Sequence, residues 1–211
     1  AVYIFGSLLV DYERSHDLFY KNADRIYTAG SVFSATANIG VGETSGIYTA
    51  LAPIILADVE DVESAARTVR REFLLSIDDD HYYESIRFAD PSILTIFDFD
   101  YIEGDSRALE DPLGLLMTRT MATKYFGDSS AMGRTITLDH DSSLRVTAVI
   151  EDLPPNTHFN SALIGSAGFG LVAPLAALNR ASDYDLAGNF NNLSSGDNTY
   201  MLLKEGRNRD W

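Results

Sequence analysis

The sequence predicts a fold of the α/β or α+β class. Segments typical of strands alternate with segments typical of helices in both halves of the chain, which is the first indication of this class. The 211 residues are 45% hydrophobic and 22% charged. A chain of this composition can offset the entropy lost on ordering, and its length allows one large domain or two small lobes.

The first element is predicted to be a helix. Apolar residues recur at mostly helical spacing between Phe5 and Phe19, which predicts a helix that runs to about Lys21 and is broken by Asn22. The ten residues that open it (AVYIFGSLLV) are uncharged and mostly apolar. A bilayer requires about 20 such residues, so this stretch is either a core helix or the outer end of a membrane helix.

Strands and a second helix fill the rest of the first half. The helix covers residues 48–59, with its regular part beginning near Leu51, because Pro53 is tolerated only in a first turn. The aspartates at 78–80 predict a turn. The predicted strands cover residues 26–29, 32–39, 64–75 and 82–88.

The second half repeats the alternation. Asp90 and Pro91 predict a helix over 91–97, with the aspartate as its cap. A further helix over 119–126 begins after Thr118 as its cap and ends at Gly127. Pro154 and Pro155 are the strongest linker signal. Strands are predicted over 113–117, 135–138, 144–150, 161–165 and 200–203, with a partly helical segment over 170–189.

Charge and cysteine content exclude several classes of function. The net charge of −15 and the absence of a dense Lys/Arg cluster disfavour nucleic-acid binding and anionic membrane surfaces. The chain has no cysteine, which removes disulfides, thiolate metal sites and cysteine nucleophiles.

The motifs of enzyme chemistry are also missing. The four histidines are far apart, and the carboxylates at 78–80 and 98–105 lack the spacing of a calcium loop. The glycine-containing segment 127–135 has the wrong spacing for a phosphate loop. We therefore predict that the chain is not an enzyme and has no catalytic, metal or cofactor-binding residues, which favours a binding or mechanical role.

Three stretches together resemble a known family. They are DYERSHDLFYKNADRIY at 11–27, FADPSILTIFDFDYIEG at 88–104, and the run of helix, glycine stop and hairpin from Met117 to Leu153. Their order and spacing are similar to the MacB-like periplasmic core domain of MacB/FtsX-like ABC transporter permeases. The resemblance is weak over residues 166–196, so it implies nothing about the fold there.

The resemblance implies a two-lobed α+β architecture. A porter-like, discontinuous lobe built from βαβ units would comprise residues 1–87 and 157–211. A smaller α/β lobe, residues 88–156, would be inserted into it. Residues 1–20 would be the outer end of the first membrane helix and a stalk helix, and this helix would lie beside the C-terminal end of the domain.

The resemblance also implies a function and partners. The domain would be extracytoplasmic (periplasmic), on a permease of the cell inner membrane that works with a second permease copy and an ABC ATPase subunit reached through the membrane part. ATP would be used only by that separate ATPase. Motion of the membrane helices would be coupled to export or release of a substrate (mechanotransmission), with a lipoprotein, a peptide, a drug or a periplasmic partner as candidates.

The residues expected to transmit that motion lie in the first segment, and no substrate-binding residue is assigned. The expected coupling residues are Asp11, Glu13, Arg14, Phe19, Asn22, Asp24 and Arg25. The alternative function is a free-standing periplasmic ligand-binding or sensor domain. That alternative predicts an apolar pocket between lobes with a few convergent polar groups.

Overall fold

The computed structural model of the chain describes residues 12, 14–33, 42–44, 46–139, 142–160, 169–182 and 197–207. The apolar stretch 1–10, two of the expected coupling residues (Asp11 and Glu13) and the predicted strand 161–165 lie outside the described residues. Most of the predicted strand 32–39 lies outside them as well.

The described residues form a mixed sheet flanked by short helices, which confirms the α+β class. Eleven strands are present in the described part of the chain: β1 Ile26–Thr28, β2 Ser31–Val32, β3 Glu43–Thr44, β4 Val62–Ile77, β5 Asp80–Ala89, β6 Tyr101–Glu103, β7 Gly114–Thr118, β8 Thr135–Leu138, β9 Ser142–Ile150, β10 Leu171–Pro174 and β11 Asn198–Leu203. The helices are α1 Leu51–Asp58, α2 Ile93–Ile96, α3 Arg119–Phe126 and α4 Leu175–Ala181, with a 3-10 turn at His158–Asn160. In that described part, none of the helices is long and apolar enough to cross a membrane.

Nine of the strands described form one sheet in the order β1-β11-β4-β5-β10-β7-β9-β6, with β8 beside β4 and β9. Most neighbours are antiparallel, whereas β10 runs parallel to β5 and β7 runs parallel to β9. The longest element is the β4–β5 hairpin, which turns at Asp78 in a left-handed conformation (φ 51°). Strands β2 and β3 form a separate two-stranded sheet.

The sheet separates two hydrophobic clusters. Successive residues of a strand point to opposite faces. Accordingly Leu115 and Met117 belong to one cluster, whereas Leu116 between them belongs to the other. The first cluster packs against α3 and α4, and the second is rich in aromatic rings and includes α2. The core therefore lies on both faces of the sheet.

The strands of the two expected lobes occupy adjoining parts of this sheet. Strands β6 to β9, from residues 88–156, lie together, and they meet the remaining strands where β7 pairs with β10 and β8 pairs with β4. Both clusters draw on both ranges, as Val69 and Ile136 show in the first cluster. The boundaries at 88 and 157 stay a prediction.

Neither of the two side chains that were predicted to cap a helix makes a capping hydrogen bond. The Asp90 carboxylate does not cap α2 but accepts hydrogen bonds from Arg67, two from its guanidinium and one from its backbone N–H, at 2.8–2.9 Å. Thr118 is the first residue before α3, but its side chain makes no capping bond. The carboxylate of Asp152 takes that role and accepts from the backbone N–H of Thr120 at 3.0 Å.

Besides the two-residue β3, which lies outside every predicted strand, two of the described strands were missing from the sequence prediction. The segment 170–189 was predicted to be partly helical; α4 confirms the helix, but β10 precedes it as a fully buried strand. Strand β6 follows the predicted short helix; it has only three residues and pairs with β9, with a register shift, at the edge of the sheet. Neither run shows the alternation of apolar and polar residues by which strands are recognised.

Candidate functional site

The first described segment is not the continuous helix that the sequence predicted. Tyr12 and Arg14 are helical, but the chain from Ser15 to Arg25 runs through turns. Asp17 has a left-handed backbone (φ 59°) that an α-helix does not accommodate. Its backbone N–H donates to the carbonyl oxygen of Asn156 at 3.0 Å. A long-range hydrogen bond therefore holds this segment in turns although its apolar residues have helical spacing. The predicted helix to Lys21 is wrong over residues 15–21.

The Asp17 carboxylate anchors this segment to the chain after Pro155. It accepts hydrogen bonds from the Thr157 hydroxyl at 2.7 Å and from the His158 backbone N–H at 3.1 Å. The His158 ring contributes a third bond, with Nδ1 at 2.9 Å from the carboxylate. The side-chain amide of Asn156 adds bonds to the carbonyl and hydroxyl oxygens of Ser15, both at 3.0 Å. We call this set of contacts the Asp17 anchor.

The His158 ring extends the anchor to strand β11. Its Nε2 lies 3.0 Å from the Tyr200 hydroxyl, which is buried. Burial raises the pKa of Tyr200 to about 12, so its hydroxyl remains protonated. The two ring nitrogens of His158 thus contact Asp17 on one side and Tyr200 on the other, which fixes the orientation of the ring.

The pKa of Asp17 is lowered by its partners. Desolvation raises the pKa of this partly buried carboxyl, but the hydrogen bonds from His158 and Thr157 and the attraction of the His158 ring outweigh it. The carboxylate is therefore stabilised in its charged form, as expected for an acceptor with several donors.

Aromatic side chains also pack where the N-terminal segment contacts the chain after Pro155. Tyr20 is 4% exposed, and its ring lies 4.9 Å from that of Phe97 in an edge-to-face arrangement. The ring of Phe97 also contacts Phe159 and Tyr200, each with centroids 5.0 Å apart. Each such pair stabilises the folded state by about 0.5–1.5 kcal/mol in addition to the contribution from the area that it buries. The N-terminal segment is thus continuous with the second core cluster.

A second set of bonds holds the end of the segment. The Arg25 guanidinium donates to the carbonyl oxygen of Leu203 at 2.7 Å, to Glu63 at 3.0 Å and to the Asn22 side chain at 2.8 Å. The backbone N–H of Leu203 donates in return to the Arg25 carbonyl at 3.0 Å. The entry to β1 is therefore fixed to the end of the last described strand, β11.

The expected coupling residues are distributed unevenly over these contacts. Asn22 and Arg25 take part in them, whereas Arg14 and Asp24 are exposed to solvent and Phe19 is 41% exposed. The transmitting role of these residues stays a prediction.

The main contacts of the anchor were missed by the sequence reasoning. Asp17 and His158 are 141 residues apart, and His158 stood out only as one of four scattered histidines. No local pattern connects residues at this separation, so only the folded chain reveals the contact.

The His158 ring of the anchor is held between two protein groups. An Asp–His pair can orient an imidazole as a general base when the ring faces a reacting group. Here both ring nitrogens contact protein groups, Nδ1 the Asp17 carboxylate and Nε2 the buried Tyr200 hydroxyl. Within the described ranges, no group of His, Asp and Glu side chains could hold a metal ion. The arrangement is suited to attachment.

The family of the chain follows from a comparison over nearly its whole length. The model of the MacB-like periplasmic core domain matches residues 3–210. The chain belongs to this family. The resemblance inferred from the three sequence stretches is thereby confirmed, and so is the classification as a periplasmic domain of MacB-like permeases. No curated protein sequence matches the chain.

Solved structures with the same fold include three transporter domains. A domain of a protein assigned as a permease from Porphyromonas gingivalis has a TM-score of 0.67 at 22% identity, over 89% of this chain and 79% of that one. The periplasmic region of MacB from Actinobacillus actinomycetemcomitans has a TM-score of 0.57 at 11% identity, over 87% and 75%. The extracellular domain of the noncanonic ABC-type transporter YknZ from Gram-positive bacteria has 0.54 at 13%, over 86% and 83%. At these identities the similarity shows the fold.

Proposed function

We propose that this domain transmits motion of membrane helices, driven by an ABC ATPase, to the export or release of a substrate outside the cytoplasm. It would act within a permease of the inner membrane, paired with a second copy, and ATP would be used only by the ATPase. The substrate class is one of those that the sequence left open: a lipoprotein, a peptide, a drug or a periplasmic partner.

The observation that carries the proposal is the Asp17 anchor. A segment that passes motion into a domain must be attached to it by contacts that survive the applied force. The carboxylate of Asp17 provides three hydrogen bonds to residues 157–158, and charge-assisted bonds are the stronger kind. These contacts join the start of the chain to a segment that leads into the second core cluster.

The position of the attachment also supports transmission. Residues 157–158 directly follow the inserted range 88–156, so a displacement of Asp17 would act at the expected boundary between the lobes. The second attachment, from Arg25 to Leu203 and Glu63, would act at the end of β11 and the start of β4. Two attachments would allow the segment to act on the packing of the lobes, which is the kind of two-state element that such transmission uses.

The test uses the intact permease with its membrane part and its ATPase. A spin label at Tyr83→Cys, a position that is 75% exposed, reports the distance between the two copies. Since this chain has no cysteine, only cysteines elsewhere in the permease need replacement. ATP is expected to change the distance, and Asp17→Asn is expected to reduce that change by at least half while ATP hydrolysis continues.

The matched control is Asp105→Asn. Asp105 is an exposed carboxylate that bonds to Arg107, two residues away, and its loss should leave the ATP-dependent change intact. A wild-type distance that does not respond to ATP would refute transmission through this domain. A full response in Asp17→Asn would show that the motion bypasses the anchor.

A further inference from the structure

Helix α1 is apolar as far as its last residue, Asp58, yet most of it faces solvent. Residues 44–57 contain no charged side chain, and within the helix only Ala52 is buried. Ile54 and Leu56 are each 45% exposed. The exposed apolar residues of the helix are Pro53, Ile54, Leu56 and Ala57. A helix of this composition is ordinarily covered by protein or by lipid.

The exposed residues form one face of the helix. Side chains three and four positions apart are neighbours on a helix surface. Pro53 therefore lies next to Leu56 and Ala57, and Ile54 lies next to Ala57. The helix packs against β4, and the buried Ala52 lies on the other side from this face. The apolar character of the exposed face thus has a reason other than the packing of α1 on β4.

The position of α1 relates this face to the membrane. Three residues after the helix, the backbone carbonyl of Asp61 accepts a hydrogen bond from the N–H of Lys204 at 3.0 Å, and its carboxylate lies 3.0 Å from Nε of Arg207. Two residues further on, Glu63 accepts from Arg25 at the entry to β1. Under the proposed function, the segment that enters β1 comes from a membrane helix. The end of α1 is therefore close to the place where that segment joins the sheet.

Two properties favour lipid over a second copy of the chain as the group that covers this face. A stable contact between two proteins buries about 800 Å² on each partner, whereas an eight-residue helix, about 12 Å long and about 10 Å wide, offers a much smaller area. The net charge of −15 also makes two copies repel each other. An uncharged apolar face is complementary to the interface of a neutral bilayer.

We propose that the face of Pro53, Ile54, Leu56 and Ala57 binds the extracytoplasmic surface of the bilayer and inserts these side chains between neutral lipid headgroups. The inference rests on the proposed function, which places the domain on a membrane helix. Eight residues cannot span a bilayer, which requires about 20, so α1 lies in the interface. This contact holds one end of the sheet at the membrane surface while the first segment moves.

Quenching by labelled lipid in the intact permease tests the contact. The permease, with its membrane part and its ATPase, is reconstituted into nanodiscs of phosphatidylethanolamine and phosphatidylcholine and carries a fluorescent NBD label at Leu56→Cys. Phosphatidylcholine with a nitroxide near its headgroup quenches a label that lies in the interface. We expect this lipid to reduce the fluorescence by at least half.

The matched control is a label at Leu113→Cys. Leu113 is also an exposed leucine, at 40%, and it precedes β7, whereas the Asp17 anchor follows the opposite end of the neighbouring strand β9. Its label should not be quenched. Adding Ala57→Glu to Leu56→Cys should reduce the quenching to the level of this control, because it places a charge in the centre of the face. The helix should persist, since Ala57 is exposed and glutamate is a good helix former.

Several results would overturn the proposal. They are an absence of quenching at position 56, equal quenching at positions 56 and 113, and undiminished quenching in Ala57→Glu. A label at position 56 with blue-shifted emission but no quenching would show that protein covers the face, and disulfide crosslinking of Leu56→Cys between copies would identify a second copy as the occupant. The measurement needs no ATP, so a failure of ATP-driven transmission and a failure of the lipid contact are distinguished.

Discussion

At the scale of single residues, the charge of Asp17 joins two distant segments of the chain. Its carboxylate is bonded by three donors from two neighbouring residues, Thr157 and His158, and its own backbone has the left-handed conformation that ends the first helix. Hydrogen bonds to a charged group contribute about 1.5–3 kcal/mol each, and solvent screening places this partly exposed group at the lower end.

The contribution of Asp17 to stability should therefore depend on pH. Its pKa in the folded state is lower than the ordinary value of 3.8, so its stabilisation is complete above about pH 4 and is lost as the pH falls through the folded-state pKa. We expect Asp17→Asn to lower the free energy of unfolding by about 1.5 kcal/mol at pH 6. The difference from the wild type should shrink at pH 3, as measured by urea unfolding at both values.

Asp105→Asn is the control for this measurement, because Asp105 is exposed and also has a pKa lowered by its hydrogen bonds to Arg107. Its effect should be small at both pH values. A difference between Asp17→Asn and the wild type that is the same at pH 6 and pH 3 would mean that the anchor does not rely on the charge.

At the scale of elements, the edge of the sheet depends on a close approach between two backbones. The edge strand β6 is followed by Gly104, which has a φ of 81°. A Cβ atom there would lie 2.4 Å from the carbonyl oxygen of Thr147 in β9, so no other residue fits without displacement of the sheet. Gly133 has a similar φ of 74°, but a Cβ atom there would have no neighbour within 4 Å.

Alanine substitutions at these two glycines distinguish the cost of backbone strain from the cost of a steric clash. Gly133→Ala should lower the free energy of unfolding by about 1 kcal/mol, the usual cost of a left-handed residue with a side chain. Gly104→Ala should cost about 3 kcal/mol or more, since it adds a clash with the backbone of β9. Urea unfolding of both variants measures the difference. Equal costs would show that β6 moves away from β9 without penalty.

At the scale of the whole molecule, the sheet connects the two ranges that the family resemblance assigns to separate lobes. Strand β10, from the last quarter of the chain, lies between β5 and β7 and pairs with both. Each hydrophobic cluster also combines residues of both ranges. An arrangement with shared cores is expected to unfold as a single cooperative unit, even if the lobes shift relative to each other in the permease.

Leu116→Ala tests this cooperativity. Leu116 lies in β7, within 88–156, and is fully buried in the second cluster. The substitution should cost about 3 kcal/mol. In native-state hydrogen exchange, we expect the protection of β4 and β11 to fall by the same free energy as that of β9. A loss confined to residues 88–156 would instead favour independent lobes.

The sequence by itself determined the elements with a clear period or boundary, and it determined the family. Helix α3 occupies the predicted residues 119–126 and ends at Gly127, whose φ of 59° explains the stop. Helix α1 begins at Leu51 as the position of Pro53 indicated, and strand β8 has its predicted bounds. These features are local, since they depend on the propensity, capping and turn preferences of neighbouring residues.

Only the tertiary structure decided which distant residues meet. The insertion of β10 beside β5, the contact of Asp17 with His158 and the burial of Arg87 against Phe159 all join segments that are far apart in the chain. A run such as Leu171–Pro174 carries no period, because it is buried on both faces of the sheet. A charged residue within a strand likewise gives no local sign of the side chains that will enclose it, because burial is set by the packing of the complete sheet.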